Sequence, residues 1–219
     1  MGEAMTSEIE SQLLHSYPDG RSVKDALHDL FSGDGTIYLV VGFFTHNGYQ
    51  AIRSDIKSFL EREETNTLKL VVGPATDQFS PRIAKDLDEL DNGDQVKLFG
   101  YRRGLHAKLY MRDGPDPHVI LTSANLTRVG FDYNLELGIE FFSSNADHPQ
   151  IAAFREWLGD VIDRSQPIRR RDLFLSVQFM NTFINWTNKA RLLPRRHIAK
   201  RIAPVVLLVL LIAIGARIF

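Results

Sequence analysis

The stretch that most constrains this chain is residues 105–140, which reads as three strands set at hairpin spacing. The local sequences LHAKLYMRD, HVILTSAN and NLELGIEFF are separated by two turn signals. One is Asp113-Gly114-Pro115-Asp116-Pro117, and the other is the segment 125–133 with its Gly130. Side chains alternate along a strand, so His106 and Lys108 should point the same way. Ser123 and Asn125 should do likewise on the next strand, and Glu136 can lean in from the third. An imidazole, an ammonium, a hydroxyl, a carboxamide and a carboxylate are thereby expected at one place.

That set suits a phosphodiester. A neutral imidazole is a competent nucleophile toward phosphorus and a competent general acid near neutral pH. Lys108 and Asn125 can hold the non-bridging oxygens and offset the charge that builds in a five-coordinate transition state. Glu136, by accepting from one ring nitrogen of His106, would fix the tautomer that leaves the other nitrogen free to attack. The scheme uses no metal and no cofactor.

The spacing His-x-Lys-x4-Asp, followed by Ser-x-Asn and a later Glu, resembles the HKD signature of the phospholipase D superfamily. His106, Lys108, Asp113, Ser123 and Asn125 match it, with Glu136 at a compatible offset. Thr122 stands where the family often has glycine before the serine. The resemblance implies a phosphohistidine intermediate on His106, a second histidine that protonates the leaving group, and a supporting rather than chemical part for Asp113. It also implies a mixed α/β sheet with helices on its faces. Only one such motif is present, so a two-histidine mechanism calls for a two-fold homodimer that brings two His106 side chains to one cleft.

The chain ahead of the motif agrees with an α/β fold. TIYLVVGFF, residues 36–44, is a continuous apolar run of the buried-strand type. A helix capped by Asn47 and running to about Arg62 follows, with Ile52, Ile56 and Phe59 at helical spacing. Residues 68–72 form the next strand, 81–90 a second helix, and 96–99 a third strand. This alternation predicts parallel pairing with right-handed crossovers. Residues 148–162 supply a covering helix. Thr45, Arg102 and Arg103 are candidate substrate contacts; His46 reads as part of a helix-capping loop and His118 as turn chemistry. Residues 1–30 are polar and acidic, read as one or two helices broken at Asp19-Gly20, and lack the apolar core of a signal peptide.

Composition narrows the alternatives. The 219 residues are 44% hydrophobic, enough for a core, and contain no cysteine, which removes disulfides and thiolate metal sites. No P-loop, zinc-ligand spacing or dinucleotide fingerprint occurs. The tripeptides beginning at Asn125 and Asn185 fit glycosylation sequons, though nothing directs the domain outside the cell. The net charge of −1 hides a division. Ten of the 26 Lys and Arg, but only one acid, Asp172, lie beyond Arg164. The acidic body argues against charge-driven nucleic-acid binding over its whole surface, though not against a local basic rim.

The basic tail ends in IAPVVLLVLLIAIGA, residues 202–216, fifteen residues without a charge. As a helix it would span about 22 Å, against roughly 30 Å of bilayer hydrocarbon. Ile218 and Phe219 close most of that gap if Arg217 snorkels. A buried core helix or a dimer contact is the competing reading. The division expected is therefore a helical N-terminal segment over 1–35, a phospholipase D-like domain over 36–164, a basic or amphipathic connector over 165–201 and a C-terminal hydrophobic membrane anchor over 202–219. The basic flank would keep the domain on the cytoplasmic side.

The expected function is that of a membrane-anchored, homodimeric, metal-independent phosphodiesterase. Nucleic acid is the favoured substrate, because compact single-motif members of the superfamily commonly cut nucleic acids. Phospholipid is the alternative, and a catalytically idle phosphate-binding scaffold is the third class.

Overall fold

In the computed structural model, residues 9–16, 20–73, 81–101 and 104–168 are described. All belong to the compact unit Met1–Leu175. An eight-stranded sheet runs through them in the order β1-β7-β6-β5-β2-β3-β4-β8. The strands are β1 (Ile9–His15), β2 (Thr36–Val41), β3 (Thr67–Val72), β4 (Val96–Tyr101), β5 (Lys108–Asp113), β6 (His118–Thr122), β7 (Leu137–Ser143) and β8 (Ser165–Pro167). The helices are α1 (Val23–Leu30), α2 (His46–Arg62), α3 (Pro81–Leu90), α4 (Arg128–Asp132) and α5 (Pro149–Asp163). β2, β3 and β4 are parallel, as the strand–helix alternation predicts. From β5 onward the sheet turns antiparallel, through β6 and β7 to β1. The change of direction falls between β2 and β5, where Val41 pairs with Lys108.

The two faces of the sheet are covered unequally. One carries the larger core, in which Leu27 and Leu30 of α1, Ile52 and Ile56 of α2, and Ile83 and Leu87 of α3 pack on Leu39, Leu70 and Tyr110. Among the described residues, the other face packs Val40, Val71, Leu109 and Val119 against α5, through Ile151, Leu158 and Val161. Asp113 at the end of β5 receives the Arg155 guanidinium at 2.6 and 2.9 Å and ties α5 to the sheet.

Several elements differ from expectation. Residues 9–15 form a strand, not a helix, hydrogen-bonded to β7 as the sheet's edge. Only Leu14 of that strand is buried, so its polar composition carries no period-two signal. Thr45, not Asn47, caps α2, its hydroxyl accepting from Gly48 N–H. The segment read as a turn after Asn125 holds the short helix α4, capped by Thr127. In the connector, β8 pairs with β4. Arg102, Arg103 and the anchor segment 202–219 lie outside the described residues. Among the described residues no helix is long and apolar enough to cross a membrane.

His118 departs furthest from its sequence reading. It is a core residue of β6, stacked on Phe142 with ring centroids 4.3 Å apart, and its Nε2 lies 3.0 Å from the fully buried carboxylate of Glu140. Arg21 also donates to Glu140, and bonds Asp29 of α1 at 2.5 Å. Because Arg21 already neutralises that carboxylate, burial and the nearby Arg112 and Arg21 charges dominate the imidazole and push its pKa down to about 3. A folded pKa below the unfolded value of about 6.5 means that the unfolded chain takes up the proton first. Stability is therefore complete above that value and declines as pH falls toward 3. Between pH 7 and pH 5 the loss from this one group is about 2 kcal/mol. In His118→Gln, which keeps a donor toward Glu140 but cannot titrate there, urea unfolding at the two pH values should differ by correspondingly less.

Candidate active site

The candidate residues do not lie along strands but at strand ends and in the loops beside them, all at one edge of the sheet. Lys108 opens β5, with His106 in the loop ahead of it; Ser123 and Asn125 follow β6; Glu136 immediately precedes β7. Since β5 and β7 run opposite to β2 and β6, their beginnings meet the ends of β2 and β6. Alternation thus gives the right neighbourhood through the wrong local structure.

His106 is exposed and Lys108 buried, 7% accessible. The Lys108 ammonium donates to the backbone carbonyl of His106 at 2.7 Å and stands 3.2 Å from the ring Nδ1. Burial lowers its pKa, and the Glu136 carboxylate acts in the opposite direction. A cation with reduced access to water makes stronger contacts with an incoming anion than an exposed one.

Asn125 reaches the same place from the other side of Gly42. Its Oδ1 accepts from the N–H of Phe43 at 3.1 Å, which leaves its amide N–H groups available to a ligand. A methyl group built on Gly42 would stand 3.6 Å from that Oδ1, 3.7 Å from the Cα of His106 and 2.7 Å from the carbonyl oxygen of Leu105. Gly42 is therefore the spacer against which both loops close. The loop of Asn125 is pinned further by the buried Tyr110 hydroxyl, which donates to the Ala124 carbonyl at 2.8 Å, and by Thr45 N–H, which donates to Leu126 O at 3.0 Å. With its hydroxyl engaged as a helix cap, Thr45 supports the loop through its backbone.

Glu136 is placed differently from expectation. Its carboxylate accepts from the Ser123 hydroxyl and from the Asn134 amide, the latter at 3.0 Å, and not from the His106 ring. Its backbone N–H donates to Ser16 Oγ at 3.1 Å, which joins the end of β1 to the site. Ser123 is thus a bridge between Glu136 and the start of β7, where its Oγ accepts from Leu137 N–H at 3.1 Å. The sequence reading missed Gly42, Tyr110, Asn134 and Ser16. Of these only Tyr110 carried a signal, two residues beyond Lys108 on the same strand face. Among the described residues no three His, Asp or Glu side chains cluster as metal ligands.

Solved structures share this architecture. A phospholipase D family member, Nuc from Salmonella typhimurium, superposes on 74% of this chain and 99% of its own with a TM-score of 0.58 and 18% identity. The fold is that of the phospholipase D family. NucT from Helicobacter pylori matches 74% of this chain and 100% of its own with a TM-score of 0.54 and 18% identity. Phosphatidylserine synthase from Haemophilus influenzae matches 84% of this chain with a TM-score of 0.62 and 13% identity. The phospholipase D-like chain described here spans 47% of that synthase's length. No family model matches the sequence, and no curated protein is significantly similar to it.

The spacer position makes a direct prediction. In Gly42→Ala the added methyl cannot coexist with the Leu105 carbonyl, so the His106 loop must move. We expect a loss of about 1–3 kcal/mol in unfolding free energy. The His106 ring resonances should shift by NMR, while those of the distant His28 stay in place.

Proposed function

We propose that this chain is a phosphodiesterase that uses His106 as its nucleophile and works as a homodimer, with nucleic acid as its substrate. The observation that carries this reading is the exposed His106 imidazole held against the buried Lys108 ammonium, with the Asn125 amide across Gly42. A phosphate oxygen placed between Lys108 and Asn125 presents its phosphorus to the ring. A ring nitrogen of His106 forms the N–P bond as the P–O bond to the leaving group breaks, and His106 of a second copy gives that oxygen a proton. Water then attacks phosphorus, loses a proton to the same partner histidine, and releases His106. Lys108 and Asn125 offset the charge at the five-coordinate stage. Glu136 and Ser123 brace the loops.

Nucleic acid ranks first because the match extends over nearly the full length of Nuc and NucT. A phospholipid is the second reading. It is favoured by the uncharged run 202–216, which we read as a membrane anchor, and by the likeness to a phosphatidylserine synthase.

Labelled single-stranded DNA, duplex DNA, RNA and phospholipid vesicles, offered in parallel, test the reading. His106→Ala should lower the rate on the true substrate at least about a thousandfold, and EDTA should leave the wild-type rate unchanged. Hydrolysis that survives His106→Ala would exclude the phosphohistidine route, and abolition by EDTA would point to a metal. Deleting residues 202–219 should release the protein from membranes in a flotation assay; continued flotation would place the membrane contact elsewhere.

A further inference from the structure

The loop that runs from Asn125 to Glu136 carries a cluster of exposed apolar side chains. Val129, Tyr133 and Leu135 are 54%, 68% and 72% exposed, three of the seven large apolar side chains exposed among the described residues. A fourth, Phe43, stands next to the start of the loop, its N–H on the Asn125 carboxamide. Single exposed apolar residues are ordinary, but a cluster of them marks a contact surface. The loop cannot turn these groups inward, because its inner side is already filled. Gly130 lies so close that a methyl there would stand 2.7 Å from the Asn125 carbonyl oxygen, and Phe131 packs on the larger core. Val129 and Tyr133 sit one turn apart on the outer side, the Tyr133 N–H donating to the Val129 carbonyl at 3.1 Å.

Charge decides what such a surface suits. Asp132 pairs with Arg128 at 3.4 Å, and the Arg128 guanidinium lies 5.7 Å from the centre of the Tyr133 ring. Glu136 turns its carboxylate to Ser123 and Asn134. The loop therefore presents no unpaired charge, and a polynucleotide backbone would find no cation reserved for it. Aliphatic side chains rimmed by a neutral ion pair and a tyrosine hydroxyl have instead the make-up of a segment that enters a membrane interface.

We propose that the 126–136 loop seats this edge of the domain on a lipid bilayer, with Val129, Tyr133 and Leu135 among the headgroups and upper acyl chains. The uncharged run 202–216, read above as an anchor, selects that occupant, since a tethered domain has the bilayer within reach. Three side chains are too few to hold a domain on a membrane unaided, so the contact forms in the tethered chain. The inference rests on the anchor reading for its occupant and is independent of what the site cuts.

The chain contains no cysteine, so one introduced thiol can carry an environment-sensitive dye. Full-length Leu135→Cys, labelled and reconstituted in phosphatidylcholine vesicles, should emit to the blue of the same dye on Glu64→Cys, beyond the far end of α2. Brominated acyl chains should remove at least about half of the emission at position 135 and none at position 64. Adding Val129→Ser and Tyr133→Ser should return the position-135 emission to the red with circular dichroism unchanged. His106→Ala should leave it blue and quenched, so loss of catalysis and loss of seating are separate results. Blue emission that bromine does not quench would mean that protein covers the loop, from this chain or a second copy, and would overturn the proposal. Red emission from vesicle-bound protein, or a blue shift that requires an added oligonucleotide, would overturn it as well. A chain that does not stay with the vesicles would sink it together with the anchor reading.

Discussion

The structure turns on the antiparallel contact between β2 and β5. On one side of it β2, β3 and β4 pair in parallel, with β8 added antiparallel to β4 at the edge, and on the other side every pairing is antiparallel. At that seam Val41 faces Lys108, so the last residue of a parallel strand meets the first residue of an antiparallel one. The loops that continue from β2 and lead into β5 must then share one small space. Gly42 is the residue that lets them, because any side chain there would strike the Leu105 carbonyl. Open α/β sheets gather ligands at the carboxyl ends of their parallel strands where chain direction changes. This seam is such a place, and the polar side chains collect there because both chain directions deliver loops to it.

Away from the seam, the α1 side of the sheet buries charge in a way that only pairing makes tolerable. Glu140 is inaccessible to water, yet Arg21 and His118 both reach it. Arg112 extends the polar cluster by donating to the carbonyls of Asp29 and Leu30 at the end of α1. An isolated buried carboxylate costs several kcal/mol, so each partner matters more for what it prevents than for what it adds. The cluster ties α1, β5, β6 and β7 into one assembly, and β1 joins it through His15 N–H, which donates to the Arg21 carbonyl at 3.1 Å. It is the reason that a polar N-terminal segment belongs to the sheet.

Much of this was legible in the sequence, and the failures share a cause. The parallel strands announced themselves as apolar runs, since burial on both faces leaves no alternation to decode. Helix α2 showed three-to-four spacing at Ile52, Ile56 and Phe59. The motif residues His106, Lys108, Ser123, Asn125 and Glu136, read as neighbours from the sequence, do gather at one edge of the sheet. What failed depended on partners distant in the chain. β1 looked helical because an edge strand with one buried residue has no period of its own. His118 looked like a turn residue because Pro117 precedes it, while its partner Glu140 lies twenty-two residues on. Glu136 was assigned to His106 by analogy with a triad, but its neighbours in space are Ser123, Asn134 and Ser16. Gly42 carried no signal at all, because a missing side chain gives nothing to count.

The bond from Glu136 to Ser16 has a consequence for the order in which the molecule is made. The two residues are 120 positions apart, and β1 finds its hydrogen-bonding partner only once β7 has been made. Closing so long a loop is entropically expensive and is repaid only by the whole ladder of contacts at its end. The edge of the sheet should therefore be sealed late, after the parallel strands and their helices have packed. A half-made chain would hold His106 and Lys108 without the brace that steadies Glu136. The brace on Glu136 would then be set late in folding, when β1 comes to rest beside β7.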